Sequence, residues 1–394
     1  MAYYTTIFGQ MIHLISRLDF NSSVNKYKGD YRIRKFSCWD QFIFLLLGQF
    51  SKRNSLRETI FSINSLFSKL YHLGCHTVRR STFSDANNKR PHQIYRDLFF
   101  KLLEKTQKIA PKHKLKIDRK LFFVDATTID LCLKLFPWAR FRKTKAAIRL
   151  HTLLQADGSL PVFLNITDGK VHETNAVKTI PIPKGSYIAI DRGYHDFHQY
   201  NYYNNNNIRF VTKMKTNAKY RVIETLSNKD TTAILSDEVI EFTGYVTHKK
   251  CPHPFRKISY YDIVKNKNII FLSNNFDNDA QTIADIYKAR WDIETFFKNI
   301  KQNLKINRFF GTSRNAVMTQ VWIAMIAYLM ISFYKFLHKS KQSVQTLFRI
   351  IQVNIFERKS LKDLIKNKFI KPPDKVDNTK FVFSDFKPDT HETQ

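Results

Sequence analysis

The sequence predicts a mixed α/β protein: a sheet with flanking helices, a helical segment in front of it and a β-rich insertion within it. Three observations carry this. Residues 1–115 show the apolar spacing of helices and no run that reads as a strand. From about residue 118 short apolar runs succeed one another: "KLFFVDATTIDL" (120–131), "AAIRLHTLLQADG" (146–158) and "SLPVFLNITDG" (159–169). Then "GSYIAIDRGY" (185–194) and "NIRFVTKMK" (207–215) follow with helical room between them, and three strands followed by alternating helix and strand indicate a mixed sheet.

In order along the chain, "SCWDQFIFLLLGQF" (37–50) reads as an apolar helix with polar breaks and "IYRDLFFKLLEKTQ" (94–107) as an amphipathic one. Between them "TVRRSTFSDANNKRP" (77–91), with four basic residues and a closing proline, suits a turn that grips phosphates through Arg79 and Arg80. A solvated connector is the alternative. The turn signal "ADGS" makes a hairpin of the second and third strands. Residues 218–276, with runs such as "EVIEFTGYVTH" and "KNIIFLS", read as the β-rich insertion. Residues 277–366 return to helix, and 367–394 form a tail.

Composition narrows the function. Sixty-five Lys and Arg against 33 Asp and Glu give a formal charge of +32, which calls for a polyanionic partner, nucleic acid before a membrane surface. Four well-separated cysteines form no CxxC pair, which argues against a zinc finger or a disulfide framework and suits a reducing cytosol. The opening residues lack the basic head and apolar core of a signal peptide. The uninterrupted apolar run "VWIAMIAYLMI" (321–331) is well short of the roughly 20 residues a span needs, so a buried helix and no membrane association is expected. No GxxxxGK[ST], HExxH or GxSxG is present, and His172 and Glu173 read as a local polar cluster in a loop.

Residues 279–305 form one helix by pattern, at about 100° per residue. Ile286, Ile293, Phe296, Phe297, Ile300 and Leu304 make its apolar arc. Tyr287, Arg290, Glu294 and Lys301 fall within about 60° of one another at the edge of that arc, with Lys298 and Lys305 beside them on the outer side. An ordinary exposed stripe with (i, i+4) pairing would look the same. Two aspartates, Asp125 in "LFFVDATT" and Asp191 in "YIAIDRGY", end apolar strands, where α/β sheets place their chemistry; each taken singly is as well read as a cap or turn residue. Together the two aspartates and Glu294 supply hard oxygen ligands for Mg²⁺, and two ions about 3.5–4 Å apart support in-line phosphoryl transfer.

These residues resemble the DDE transposases of insertion-sequence family four. Tyr287, Arg290, Glu294 and Lys301 match its Y-(2)-R-(3)-E-(6)-K signature at every spacing. Asp191, Gly193, Tyr194 and Phe197 resemble its second-acid region, and Asp125 its first acid. "SCWDQF", "SLRE", "RRSTFSDANNKRP" and "FFGTSRNAVMTQVWIAMIAY" resemble segments of one subgroup, so the similarity spans most of 1–340. The resemblance implies an RNase H-like core split into 116–217 and 277–366 around a β-rich insertion at 218–276, behind a DNA-binding segment at 1–115. It implies Asp125, Asp191 and Glu294 as catalytic ligands of two Mg²⁺ or Mn²⁺ ions, with Tyr287, Arg290, Lys301 and Lys298 on DNA.

The implied reaction is cleavage at terminal inverted repeats and joining of 3′-OH ends to a target, by a homodimer bridging two ends in the bacterial cytoplasm, at the nucleoid. Members that form hairpin intermediates use an aromatic in the insertion. Trp39, Trp138, Trp291 and Trp322 all lie outside 192–290, a departure from members that use Trp there; Tyr245 or Phe255 is named as a substitute and neither is assigned, so the hairpin step is less firmly implied than the metal site. Two other readings compete: a metal-dependent nuclease without strand transfer, and a transposase-derived DNA-binding protein without activity. The second predicts loss of an acid, and all three are present.

Overall fold

The computed structural model describes residues 5–51, 55–66, 68, 71–169, 178–226, 233–303 and 309–366. His172, Glu173, Leu304, Lys305 and the tail from 367 lie outside the described residues.

Among the described residues six helices open the chain: α1 (Ile7–Ile12), α2 (Arg17–Lys26), α3 (Cys38–Phe50), α4 (Leu56–Ser65), α5 (Arg80–Lys89) and α6 (Gln93–Gln107). The hydroxyls of Thr6, Ser16, Ser37 and Ser55 cap the first four by accepting a backbone N–H three residues on, and Ser37 with Asp40 closes a capping box. Helix α5 corrects the expected turn at 77–91. Phe83, Ala86 and Asn87 share one face at i, i+3 and i+4 and are buried together, a spacing masked by the polar residues around it.

All thirteen residues of α3 are buried, because it packs beneath α11 (Arg314–Leu337), which also covers α5, α6 and α12 (Val344–Asn354). Helix α11 is 24 residues, longer than the apolar run suggested, and long and apolar enough to cross a membrane by length and composition. Yet 94% of its most apolar window is buried within the protein. Its Leu, Ile and Met side chains are spent on the core, each worth about 1.5–3 kcal/mol of burial. The N-terminal helices, α11, α12 and α13 (Leu361–Ile365) share one hydrophobic core with one face of the sheet. The boundary at residue 115 therefore marks a change of secondary structure and no gap in the core.

Among the described residues ten strands form one mixed sheet: β1 (Leu121–Leu131), β2 (Arg140–Arg142), β3 (Lys145–Gln155), β4 (Leu160–Asp168), β5 (Tyr187–Ile190), β6 (Arg209–Lys213), β7 (Tyr220–Thr225), β8 (Ile234–Phe242), β9 (Phe255–Asp262) and β10 (Lys267–Ser273). Their order is β2-β3-β1-β5-β6-β10-β9-β8-β7, with β4 also on β3. β1, β3 and β4 are antiparallel, and β5 and β6 run parallel to β1. The β3–β4 hairpin turns through Gly158 at φ 67, where a side chain would also meet Phe336 at 2.9 Å.

The insertion is β-rich as expected, but it extends the main sheet: β10 pairs with β6. The run "EVIEFTGYVTH" stays extended only to Phe242, since Gly244 starts helix α8 (Tyr245–Lys250). Helix α7 (Phe197–Asn205) connects β5 to β6 and lies on the second core, with Phe122, Val124, Ile188, Ile190 and Phe210. The helix expected over 279–305 is broken at Arg290 into α9 (Ala280–Ala289) and α10 (Trp291–Asn303).

Candidate active site

Strand alternation decides which side chains meet. In β1, Leu121 and Phe123 face the large core under the helices, while Phe122 and Val124 face the other. In β5, Tyr187 and Ala189 face the large core. Val124 pairs with Ile190, so the next residues, Asp125 and Asp191, come up side by side on the helix-covered face. Asp191 does follow the end of its strand, where it caps the turn Arg192–Tyr194 and accepts from the Gly193 amide at 3.5 Å. Asp125 corrects the sequence reading. It is the fifth residue of an eleven-residue strand, at the point where β1 loses β5 and runs on with β3 alone. Its Oδ1 accepts the Ala126 amide at 2.8 Å.

Glu294 arrives from α10, which packs on β1. The break at Arg290 lets that residue turn inward, and it is buried. Its Nη2 donates to Glu294 Oε1 at 2.7 Å, and its Nη1 lies 3.6 Å from Asp125 Oδ2. The carboxylates of Asp125 and Asp191 also act on it, and with Tyr287 and Glu294 they hold its pKa above the ordinary value against the cost of burial. Tyr287, buried beside it, is pushed up by burial, with Arg290 opposing. Among the described residues Arg290 Nε–H and the hydroxyl of the neighbouring Tyr287 are both buried without a close hydrogen-bond partner.

One cation was missed in the sequence. Lys213 ends β6 two residues after Val211, which pairs with Ala189, so it points to the same face as Asp191. Its Nζ lies 5.5 Å from the Tyr287 ring centre, and burial, then the charge of Arg290, lowers its pKa while Asp191 raises it. The signal was present in "RFVTKMK": a lysine at strand period from a core valine. The β9–β10 hairpin closes this corner, with Lys265 Nζ 4.7 Å from the Trp291 ring centre.

The structure thus brings Asp125, Asp191, Glu294, Tyr287 and Arg290 together. Lys298 is exposed one turn beyond Glu294, and Lys301 is half-buried two turns beyond. Arg79 and Arg80 are exposed at the N-terminus of α5, whereas Asn87 and Arg90 at its other end, about 15 Å away, accept from Asn315 at the start of α11. Of the two aromatic candidates, Phe255 is fully buried in the second core, and Tyr245 is exposed.

The donor chemistry fits a divalent ion: three carboxylates supply hard oxygens, and a positive group already sits between two of them. Among the described residues no three acids, histidines or cysteines stand close enough to close round an ion as they lie.

The fold and this cluster define a mixed α/β protein in which acids from β1, β5 and α10 gather around one buried arginine at the sheet. A family profile described as "Transposase DDE domain" matches residues 116–330, and the chain belongs to that family. A second profile, described only as a domain of unknown function, matches residues 4–76. A transposase-named protein of Sinorhizobium fredii is 27% identical over 282 residues, 71% of this chain and 78% of its own length. A transposase-named protein of insertion sequence element IS5377 of Geobacillus stearothermophilus is 27% identical over 252 residues, 64% of this chain and 66% of its own. Another, of element IS4SA of Synechocystis, is 28% identical over 283 residues, 68% of this chain and 75% of its own. Among solved structures, a piggyBac transposase synaptic complex with hairpin DNA covers 94% of this chain at 12% identity and a TM-score of 0.44, too loose a likeness to bear on the fold. The protein is a DNA transposase, an enzyme of a family that uses divalent metal ions.

Proposed function

We propose that this transposase binds the terminal inverted repeats of an insertion sequence and cuts and rejoins DNA at Asp125, Asp191 and Glu294, which would hold two Mg²⁺ or Mn²⁺ ions. One observation carries the reading: the Arg290 guanidinium spans Asp125 and Glu294, with Asp191 in its field, so acids 169 residues apart in the chain (294 less 125) converge on one arginine. An RNase H-like core is supported by the order β4-β3-β1-β5-β6, three antiparallel strands followed by two parallel ones.

The ions would supply charge stabilisation of the scissile phosphate and a more acidic attacking hydroxyl. The chain's own groups do the positioning. Arg290 orients the Asp125 and Glu294 carboxylates, and Tyr287 packs beneath it. Lys213, with Lys265 and Lys267 of the β9–β10 hairpin, lays a basic track from the insertion to the acids, suited to the backbone of the transposon end. Lys298 and Lys301 continue it along α10, and Arg79 and Arg80 offer a separate phosphate contact on α5. The working form is a homodimer that pairs two ends, in the bacterial cytoplasm at the nucleoid.

The test is cleavage of a duplex carrying the flanking inverted repeat in Mg²⁺, beside an unrelated duplex. Cutting at the repeat with a transferable 3′-OH, absent in Asp125→Asn, is expected. Binding without cutting in Mg²⁺ or Mn²⁺ would overturn the catalytic assignment.

A further inference from the structure

Beyond Asp125, β1 leaves the sheet's parallel half and runs on to Leu131 in an antiparallel ribbon with β3, whose other edge carries β4 as far as Ile148 and β2 beyond it. Six residues at strand rise carry it roughly 20 Å past the acid, about six base pairs of B-DNA. At its far end the β2–β3 hairpin reads "RFRKTK" (140–145), and Arg140, Arg142, Lys143 and Lys145 are all exposed. Among the described residues none of the four forms an ion pair, although Asp130 and Asp168 lie on the neighbouring strands.

The tip is braced. Trp138 Nε1–H donates to the Thr312 carbonyl at 2.7 Å, and the buried Phe136 meets Phe309 edge-on at 6.1 Å, so its base is fastened to the loop before α11. Phe141 is seated on Gly169, where a Cβ would lie 2.8 Å from its ring. The Arg142 and Arg149 guanidiniums stand 5.1 and 5.9 Å from the centre of that ring.

We propose that this ribbon is the target-DNA grip of the transposase. Four unpaired cations on a braced support match the phosphates of a duplex. The four cations are all long, exposed side chains suited to phosphate oxygens, a contact that positions a duplex whatever its sequence. The hairpin lies on the β3 side of the acids, across from the Lys213–Lys265 track on the β6–β10 side, so the two DNA segments approach from opposite flanks. This inference rests on the strand-transfer reading above.

The test compares the wild-type chain with the quadruple variant Arg140→Ala/Arg142→Ala/Lys143→Ala/Lys145→Ala, all exposed positions. Three readouts are taken at about 150 mM salt: cleavage of an uncut end, transfer of a pre-cleaved end into plasmid DNA, and affinity for an arbitrary duplex. Cleavage is expected to stay within about twofold. Transfer and duplex affinity are expected to fall at least about tenfold, with the salt slope of duplex binding reduced by about 0.9 per lost contact. Phe141→Ala, which keeps all four charges, should lose a smaller share of transfer. Equal losses of cleavage and transfer would assign the ribbon to the transposon end, and unchanged duplex affinity would remove it from DNA; either overturns the proposal. A wild-type protein that cuts but never transfers would refute the strand-transfer reading, while duplex affinity still reports on the ribbon as a DNA grip.

Discussion

Arg256 in the insertion and Arg290 between α9 and α10 are both buried and both face carboxylates, yet they differ in how completely they are satisfied. Arg256 forks onto Asp237 at 2.9 and 2.7 Å and gives its remaining nitrogen to the Asn275 and Asn278 carbonyls. Every nitrogen has an acceptor. Arg290 holds Glu294 at 2.7 Å, lies a looser 3.6 Å from Asp125, and keeps a buried Nε–H with no acceptor among the described residues. Its partners are also partly open to solvent, at 36% and 23% side-chain exposure, against 4% for Asp237. A saturated buried arginine fastens strands; an unsaturated one orients the carboxylates beside it.

The most severe test of that contrast is Glu294→Gln, which keeps the helix and most of the hydrogen bonding but removes the charge. Cleavage should fall by at least about 10³-fold, on the order of 4 kcal/mol, with end binding changed little. Retained metal-dependent cutting would take Glu294 out of the site. Arg256→Ala strands Asp237 and should cost roughly 3–5 kcal/mol of stability, read as a lower denaturant midpoint. Loss of much less would mean the fork is not structural.

Arg290→Ala should behave oppositely, with cleavage down by about 10²-fold and stability changed by less than about 1 kcal/mol, because water can reach the carboxylates it leaves. If both arginine variants lower stability alike, the contrast collapses. Next comes acid sensitivity. Burial lowers His151 to about 4, below the unfolded value of 6.5, so the unfolded chain takes up its proton first. Its contribution is whole above pH 6.5 and is lost as pH falls toward 4, at most about 3 kcal/mol. Denaturation midpoints at stepped pH should show that slope, flattened in His151→Gln. Lys213→Ala should have the smallest effect, about tenfold weaker end binding at moderate salt; a change confined to the chemical step would count against its phosphate role.

Much of the site was legible because its signals are local. The stripe of Tyr287, Arg290, Glu294 and Lys301 follows from helical angle, and Asp191 from a short apolar run ending in an acid. Helix α5 was read as a turn because polar residues masked its one buried face, and α11 was read short because its ends are polar. The ribbon tip was overlooked since a basic hairpin has no distinctive period.

By itself the sequence determined the strand and helix order of the core, the place of the insertion, the polyanionic partner and the three candidate acids, since charge, periodicity and fixed spacing are properties of neighbours along the chain. Tertiary structure alone decided that β10 joins β6, that the N-terminal helices share the core of α11, and that β1 outruns β5 beyond Asp125. It alone placed Arg290 between two acids and Lys213 beside the third. Strand pairing and helix docking join residues tens to hundreds of positions apart, and no local pattern records which partner each will meet.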